Sequence, residues 1–120
     1  MANFEYKPRI ADQLLNSKLR TSGAVLVQGP KWCGKSTTAM QKAKSSLMLG
    51  SPKTLQESRT LLNIDPSLLL NGDTPRLFDE WQTIPELWDT VRSEVDERHE
   101  LGQFILTGSA VPLETDKIQH

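Results

Sequence analysis

Short apolar runs recur along the chain and are separated by segments with helical periodicity. Residues 24–28 (AVLVQ), 76–80 (RLFDE) and 103–110 (QFILTGSA) carry runs typical of strands that are buried on both faces. Residues 46–50 (SLMLG) predict a shorter strand. Because these runs alternate with helical patterns, the sequence predicts βαβ units and an α/β domain with a mostly parallel sheet.

Amphipathic patterns fill the intervals between the runs. An N-terminal helix is predicted from Ile10, Leu14 and Leu15, which share one face of residues 7–20. A second helix is predicted over 35–44, and two more start signals are Ser51-Pro52 and Asp65-Pro66. The last predicted helix opens at Pro85, and its apolar stripe consists of Leu87, Trp88, Val91 and Val95.

Length and charge narrow the class of protein. At 120 residues the chain is predicted to form one domain, divided into an N-terminal helical segment (1–22) and a core (23–120). A net charge of −1 provides no overall positive field, so nucleic acid is not indicated as a partner. The apolar runs are too short to cross a membrane, and a single cysteine forms no internal disulfide, so we expect a cytoplasmic protein.

Residues 29–37 (GPKWCGKST) follow the first predicted strand and fit the pattern G-x-x-x-x-G-K-[ST] of a phosphate-binding loop. Glycines let successive N–H groups turn inward around phosphate oxygens, and the N-terminus of the following helix adds its positive end. Lys35 is predicted to reach the β- and γ-phosphates, Ser36 to ligate Mg²⁺, and Thr37 to contact the α-phosphate. The predicted nucleotide-binding residues in this loop are Gly29, Pro30, Lys31, Trp32, Cys33, Gly34, Lys35, Ser36 and Thr37.

Two further strand ends complete the predicted site. RLFDE places Asp79 at the carboxyl end of a buried strand, where it can hold Mg²⁺, and Glu80 beside it, where it can polarise an attacking water. FILTGS brings Thr107 and Ser109 to the end of another strand. If that strand lies between the first two motif strands, one of these hydroxyls senses the phosphate; the alternative is that both satisfy a turn at the end of the strand. The sequence does not decide between these two hydroxyls.

Together, the segments GPKWCGKST, RLFDEWQTIPELWDTVRSEVD and GQFILTGSA resemble the AAA-type P-loop ATPases of bacteria and archaea that carry a C-terminal domain of unknown function. The resemblance covers most of residues 24–112. It implies a three-layer P-loop NTPase sandwich that binds ATP and Mg²⁺, with the sensor strand between the strands that bear Gly29 and Asp79. It also implies ATP hydrolysis, with Lys35 and Glu80 as catalytic residues and Ser36 and Asp79 on the metal.

The resemblance is weakest after residue 112. ATPase cores of this kind continue through a fifth strand, a lid and an arginine finger, so the chain is expected to be the N-terminal part of a core that is followed by a further domain. A missing strand beside residues 24–28 predicts an exposed apolar sheet edge and self-association through it.

Sequence features bear on three alternative functions. A helicase-type ATPase is similar in DEWQ and TGSA, but the net charge and the short distance between Lys35 and Asp79 disfavour it. A nucleotide-dependent switch with little turnover remains open. Covalent catalysis by Cys33 is disfavoured because neither His99 nor His120 is placed as its base. The acidic group Glu94, Asp96, Glu97 and Glu100 is interpreted as a solvated helix face, and Trp81 and Trp88 as packing residues.

Overall fold

The computed structural model of the chain describes residues 2–5, 11–29 and 35–109. These residues form five strands, four α-helices and two short 3₁₀ turns. The strands are β1 (Ala2–Glu5), β2 (Ala24–Gly29), β3 (Ser45–Met48), β4 (Arg76–Asp79) and β5 (Phe104–Ser109). The helices are α1 (Ala11–Thr21), α2 (Lys35–Lys42), α3 (Pro52–Ile64) and α4 (Leu87–Arg98), and the 3₁₀ turns are Pro66–Leu70 and Trp81–Thr83.

All five described strands are parallel and form one sheet in the order β1-β2-β5-β4-β3. The last strand in sequence, β5, therefore lies between β2 and β4, as the family resemblance implied. Because parallel strands all point the same way, β2, β4 and β5 end at one edge of the sheet. The predicted α/β fold class is confirmed, and the predicted site lies along this carboxyl edge.

Side chains alternate between two cores, one on each face of the sheet. One core contains Val25, Leu77 and Ile105 and is covered by α1 and α2 through Leu15 and Ala39. The other core is larger and is covered by α3, α4 and the Pro66–Leu70 turn; its strand residues are Ala24, Leu26, Phe78, Phe104 and Leu106. The result is a three-layer arrangement of helices, sheet and helices.

The N-terminal segment differs from its prediction. Residues 1–22 were expected to be helical, but Ala2–Glu5 forms β1, which pairs in parallel with β2, and α1 follows at Ala11–Thr21. No sequence pattern indicated β1, because a strand at the edge of the described sheet has one neighbour and needs no continuous apolar run. The expectation that the edge of β2 is exposed is also wrong, since β1 covers this edge. Self-association remains a prediction, but it can no longer be based on an exposed β2.

Most other predicted elements are confirmed with small shifts at their ends. Helix α2 ends at Lys42 and not at Lys44, and α4 begins at Leu87 after a turn at Pro85 and Glu86. The Asp65-Pro66 signal opens a 3₁₀ turn in which the Asp65 carboxylate accepts a hydrogen bond from the Ser67 backbone N–H at 3.0 Å. In the described part of the chain, no helix has the length and apolarity to cross a membrane.

Candidate functional site

The carboxyl edge of the sheet brings the described parts of the three predicted motifs together. Strand β2 ends at Gly29 and helix α2 begins at Lys35, so the phosphate-loop segment lies between the described strand and helix. In the sheet register Gly29 pairs with Ser109, and Thr107 pairs with both Val27 and Asp79. The first motif glycine, the acidic strand end and both candidate sensor residues therefore lie on neighbouring strands.

A short side-chain contact at this edge joins Thr107 to Asp79. The Thr107 hydroxyl donates a hydrogen bond of 2.6 Å to Asp79 Oδ1. Thr107 is fully buried, and Asp79 is 8% exposed. By strand alternation both side chains lie on the face that α1 and α2 cover. The Asp79 carboxylate is thus held next to the layer that contains the helix after the phosphate-loop segment.

Glu80 leaves the strand in a left-handed conformation, with φ 57° and ψ 48°. Such backbone angles are unfavourable for a non-glycine residue by about 1 kcal/mol and are concentrated at functional sites. A short turn follows, in which the Glu80 carbonyl accepts hydrogen bonds from the Thr83 backbone N–H at 3.1 Å and from the Thr83 hydroxyl at 3.0 Å. The conformation of Glu80 is therefore fixed by its own local turn.

Gln82 lies beside Glu80 and was not among the site residues predicted from the sequence. Its Nε2 donates a hydrogen bond of 2.7 Å to Glu80 Oε1. Its Oε1 is buried and has no hydrogen-bond partner among the described residues. The sequence DEWQ places an amide two residues after Glu80. A sequence does not show, however, which way a side chain points within a 3₁₀ turn.

Gly108 lies against the same amide. A Cβ built on Gly108 would lie 2.6 Å from Gln82 Oε1 and 3.2 Å from Trp81 Nε1. Any larger residue at this position of β5 would therefore displace the Gln82 side chain. Gly50, on the other side of β4, faces Glu80 in a similar way, since its Cβ would lie 3.2 Å from Glu80 Cγ.

Several predicted site residues lie outside the described part of the chain. Five of them lie wholly outside it: Pro30, Lys31, Trp32, Cys33 and Gly34. For four others the structure describes the backbone but not the side chain: Lys35, Ser36, Thr37 and Ser109. Of these residues, Lys35, Ser36 and Thr37 form the start of α2, and Ser109 is the last residue of β5. Their roles remain predictions.

The side chains that we interpreted as structural behave accordingly. Trp81 and Trp88 pack against the larger core with their ring centroids 5.3 Å apart. Asp96, Glu97 and Glu100 are exposed, and Glu94 pairs with Arg98 at 2.8 Å. The described residues contain no group of three or more His, Cys, Asp or Glu side chains placed to hold a metal ion.

The all-parallel sheet and the helices on its two faces are consistent with an α/β domain of the P-loop NTPase class. A family model described as an AAA domain matches residues 21–120, and the chain belongs to that family. Membership identifies an AAA-like domain of the ATP-binding type. The comparisons with curated proteins and with solved structures found no match.

Proposed function

We propose that this domain binds ATP with Mg²⁺ and hydrolyses it at the carboxyl edge of the sheet. The hydrogen bond from Thr107 to Asp79 is the observation that carries the proposal. It holds a nearly buried carboxylate at the end of a central strand, beside the strand that leads into the phosphate-loop motif. A carboxylate so placed has been removed from most of its water, and a bound cation would compensate for that loss.

The residues at this edge fit a magnesium ion. Mg²⁺ prefers oxygen ligands, usually one or two protein groups together with phosphate oxygens and water. Asp79 supplies a carboxylate, and the motif assigns the hydroxyl of Ser36, in the first turn of α2, as a second ligand. When bound, Mg²⁺ supplies positive charge that offsets the charge on the phosphate oxygens.

In the proposed reaction, Lys35 and the backbone of the 29–34 segment bind the phosphates, and Glu80 orients the water that attacks the γ-phosphorus. The water's oxygen forms the new bond to phosphorus, the bond to the β-phosphate oxygen breaks, and Glu80 accepts the water's proton. Phosphoryl transfer depends chiefly on positioning and charge, so a rigid carboxylate is the required feature. The fixed left-handed turn at Glu80 supports this role.

We assign different roles to the two hydroxyls that the sequence left undecided. Thr107 already donates to Asp79, so we propose that it orients this carboxylate. Ser109 is the last residue of β5 and pairs in register with Gly29, the first glycine of the loop motif. This position supports Ser109 as the residue that senses the phosphate.

Nucleotide titration monitored by thermal unfolding tests the proposal, because a ligand of the folded state raises the unfolding temperature. We expect ATP to raise it more with Mg²⁺ than without, and we expect Asp79→Asn to abolish this difference. Steady phosphate release with ATP should be lost in Glu80→Gln while binding persists. Binding without phosphate release by the wild-type chain would instead indicate a nucleotide-dependent switch, and no shift with any nucleotide would overturn the proposal.

A further inference from the structure

We infer that Gln82 is a positioning residue for hydrolysis, which holds the Glu80 carboxylate in place through its amide group. This inference rests on the proposed role of Glu80. Gln82 would not touch the nucleotide; it would act through Glu80. Four observations carry the argument: the contact with Glu80, the direction of the amide, its buried oxygen and the glycine beneath it.

The contact with Glu80 is short and local. Gln82 Nε2 lies 2.7 Å from Glu80 Oε1, and the contact is partly buried. A hydrogen bond between a neutral amide and a carboxylate is stronger than one between neutral groups. Because the Glu80 backbone is already fixed by Thr83, a bond at the carboxylate leaves the side chain little rotational freedom.

The direction of the amide follows from the chemistry of its neighbour. A carboxylate accepts hydrogen bonds and donates none, so it is the NH₂ group of Gln82 that faces Glu80. The carbonyl oxygen then points away from Glu80, towards the end of β5. The amide therefore spans the end of β4, from Glu80 on one side to Gly108 on the other.

The carbonyl oxygen of the Gln82 amide lowers the stability of the folded domain. Gln82 Oε1 is buried without a partner among the described residues. A buried acceptor in this condition lowers stability by about 1–3 kcal/mol. Packing alone would be better served by an apolar side chain of similar size. Among the described residues, the Gln82 NH₂ group donates its hydrogen bond to Glu80, so this donor is what the amide provides here that an apolar side chain would not.

Gly108 makes room for this arrangement. A Cβ at this position would lie 2.6 Å from Gln82 Oε1, well inside van der Waals contact. The absence of a side chain on β5 thus lets the amide lie over the end of the sheet. Strand β5 supplies Thr107 to Asp79 and, one residue later, the space for Gln82 beside Glu80.

Two substitutions at Gln82 separate positioning from space filling. Gln82→Ala removes the amide, and Gln82→Glu keeps its shape but replaces the donor with a second carboxylate next to Glu80. If Gln82 positions Glu80, both should lower kcat about tenfold to a hundredfold with KM for ATP nearly unchanged. If Gln82 only fills space, Gln82→Glu should retain the wild-type kcat, and this result would overturn the inference.

A double-mutant cycle with Glu80→Gln provides the second readout. Single-turnover hydrolysis is measured for the wild-type chain, each single variant and the double variant. A residue that acts through Glu80 has no further effect once Glu80 is replaced, so Gln82→Ala should not slow the residual rate of Glu80→Gln. An equal loss in both backgrounds would overturn the positioning role.

Gln103→Ala is the matched control. Gln103 is also a largely buried glutamine with hydrogen bonds to Arg98 and to the Leu101 carbonyl, but it lies next to the amino end of β5. We expect it to lower the unfolding temperature and leave kcat unchanged. Absence of hydrolysis by the wild-type chain would overturn both proposals. Hydrolysis that requires Glu80 but is unaffected by either Gln82 variant would overturn the positioning role alone.

Discussion

Thr107 and Asp79 lie directly opposite each other on neighbouring parallel strands, and a hydrogen bond of 2.6 Å joins their side chains. Thr107 is fully buried and Asp79 is 8% exposed, so the pair is closed off from most solvent. A hydroxyl that donates to a buried carboxylate stabilises the charged group and fixes its direction at once. The pair therefore links the stability of the sheet to the geometry of the proposed metal site.

Thr107→Val should affect both properties. Valine matches threonine in shape but removes the hydroxyl, so Asp79 loses one donor while packing is retained. We expect the free energy of unfolding in urea to fall by about 1–3 kcal/mol. Titration calorimetry should show weaker ATP binding in the presence of Mg²⁺ and little change without it. Thr107→Ser keeps the hydroxyl and should retain the magnesium dependence; equal losses in the two variants would contradict the role of the hydrogen bond.

Much of the fold could be predicted because its strands are strongly marked. Residues 24–27 and 104–106 are continuous apolar runs, and burial on both faces of a parallel sheet produces that pattern. Strand β1 could not be predicted in the same way. Among the described strands, Ala2–Glu5 pairs with β2 alone, and four residues are too few for their alternation to distinguish an edge strand from a polar N-terminus.

The candidate site was predictable in its residue types and less so in its contacts. Asp79 and Glu80 were identifiable because an apolar run ends abruptly in two carboxylates. The different roles proposed for Thr107 and Ser109 rest on the strand register, in which Thr107 pairs with Asp79. The contact between Gln82 and Glu80 could not be predicted, because it depends on the 3₁₀ turn and on the left-handed backbone of Glu80, which no sequence pattern indicates.

Arg76 provides a test of stability that is separate from the site. It begins β4, is 9% exposed, and donates to the Leu69 carbonyl at 2.8 Å and to the Ser45 hydroxyl at 3.1 Å. Its guanidinium also lies 5.6 Å from the centre of the Phe78 ring. Burial lowers the pKa of the Arg76 guanidinium from its ordinary value, because it removes water that stabilises the charged form.

Arg76→Met should therefore destabilise the domain by about 2–3 kcal/mol, because the buried Leu69 carbonyl loses its donor. Arg76 lies at the end of β4 opposite to Asp79, so we expect ATP affinity of the folded protein to be unchanged. Urea unfolding and calorimetry measure the two effects. Arg92→Met, at an exposed position of α4, is the control and should change stability by less than about 0.5 kcal/mol. If Arg76→Met lowered the free energy of ATP binding by more than the free energy of unfolding, the expectation that Arg76 acts on stability alone would be contradicted.

At His99 we expect a substitution to stabilise the domain. It follows the last residue of α4 with φ 54° and ψ 35°, and its backbone N–H donates to the Val95 carbonyl at 3.1 Å. Glycine adopts this left-handed conformation without the steric penalty that histidine carries. His99→Gly should raise the free energy of unfolding by about 0.5–1 kcal/mol. His99→Ala is the control, and thermal unfolding of the glycine variant at or below the alanine variant's temperature would contradict the expectation.

Gly108→Ala tests the room that β5 leaves for the Gln82 amide. The added methyl group would lie 2.6 Å from Gln82 Oε1 and 3.2 Å from Trp81 Nε1, so both side chains must shift. Because the Gln82 amide is one rigid plane, moving its oxygen also moves the NH₂ group away from Glu80. We expect kcat to fall about tenfold with little change in KM, together with a shift in tryptophan emission.

The control for this substitution is the same change made where the amide is already absent. If Gly108→Ala acts by displacing Gln82, it should have almost no further effect on kcat in the Gln82→Ala background, because the methyl group then occupies the vacated space. If the methyl group acts instead by distorting β5 and moving Thr107 from Asp79, the loss should be equally large in both backgrounds, and the magnesium dependence of ATP binding should weaken as well. Single-turnover rates and calorimetry on the four proteins distinguish these outcomes.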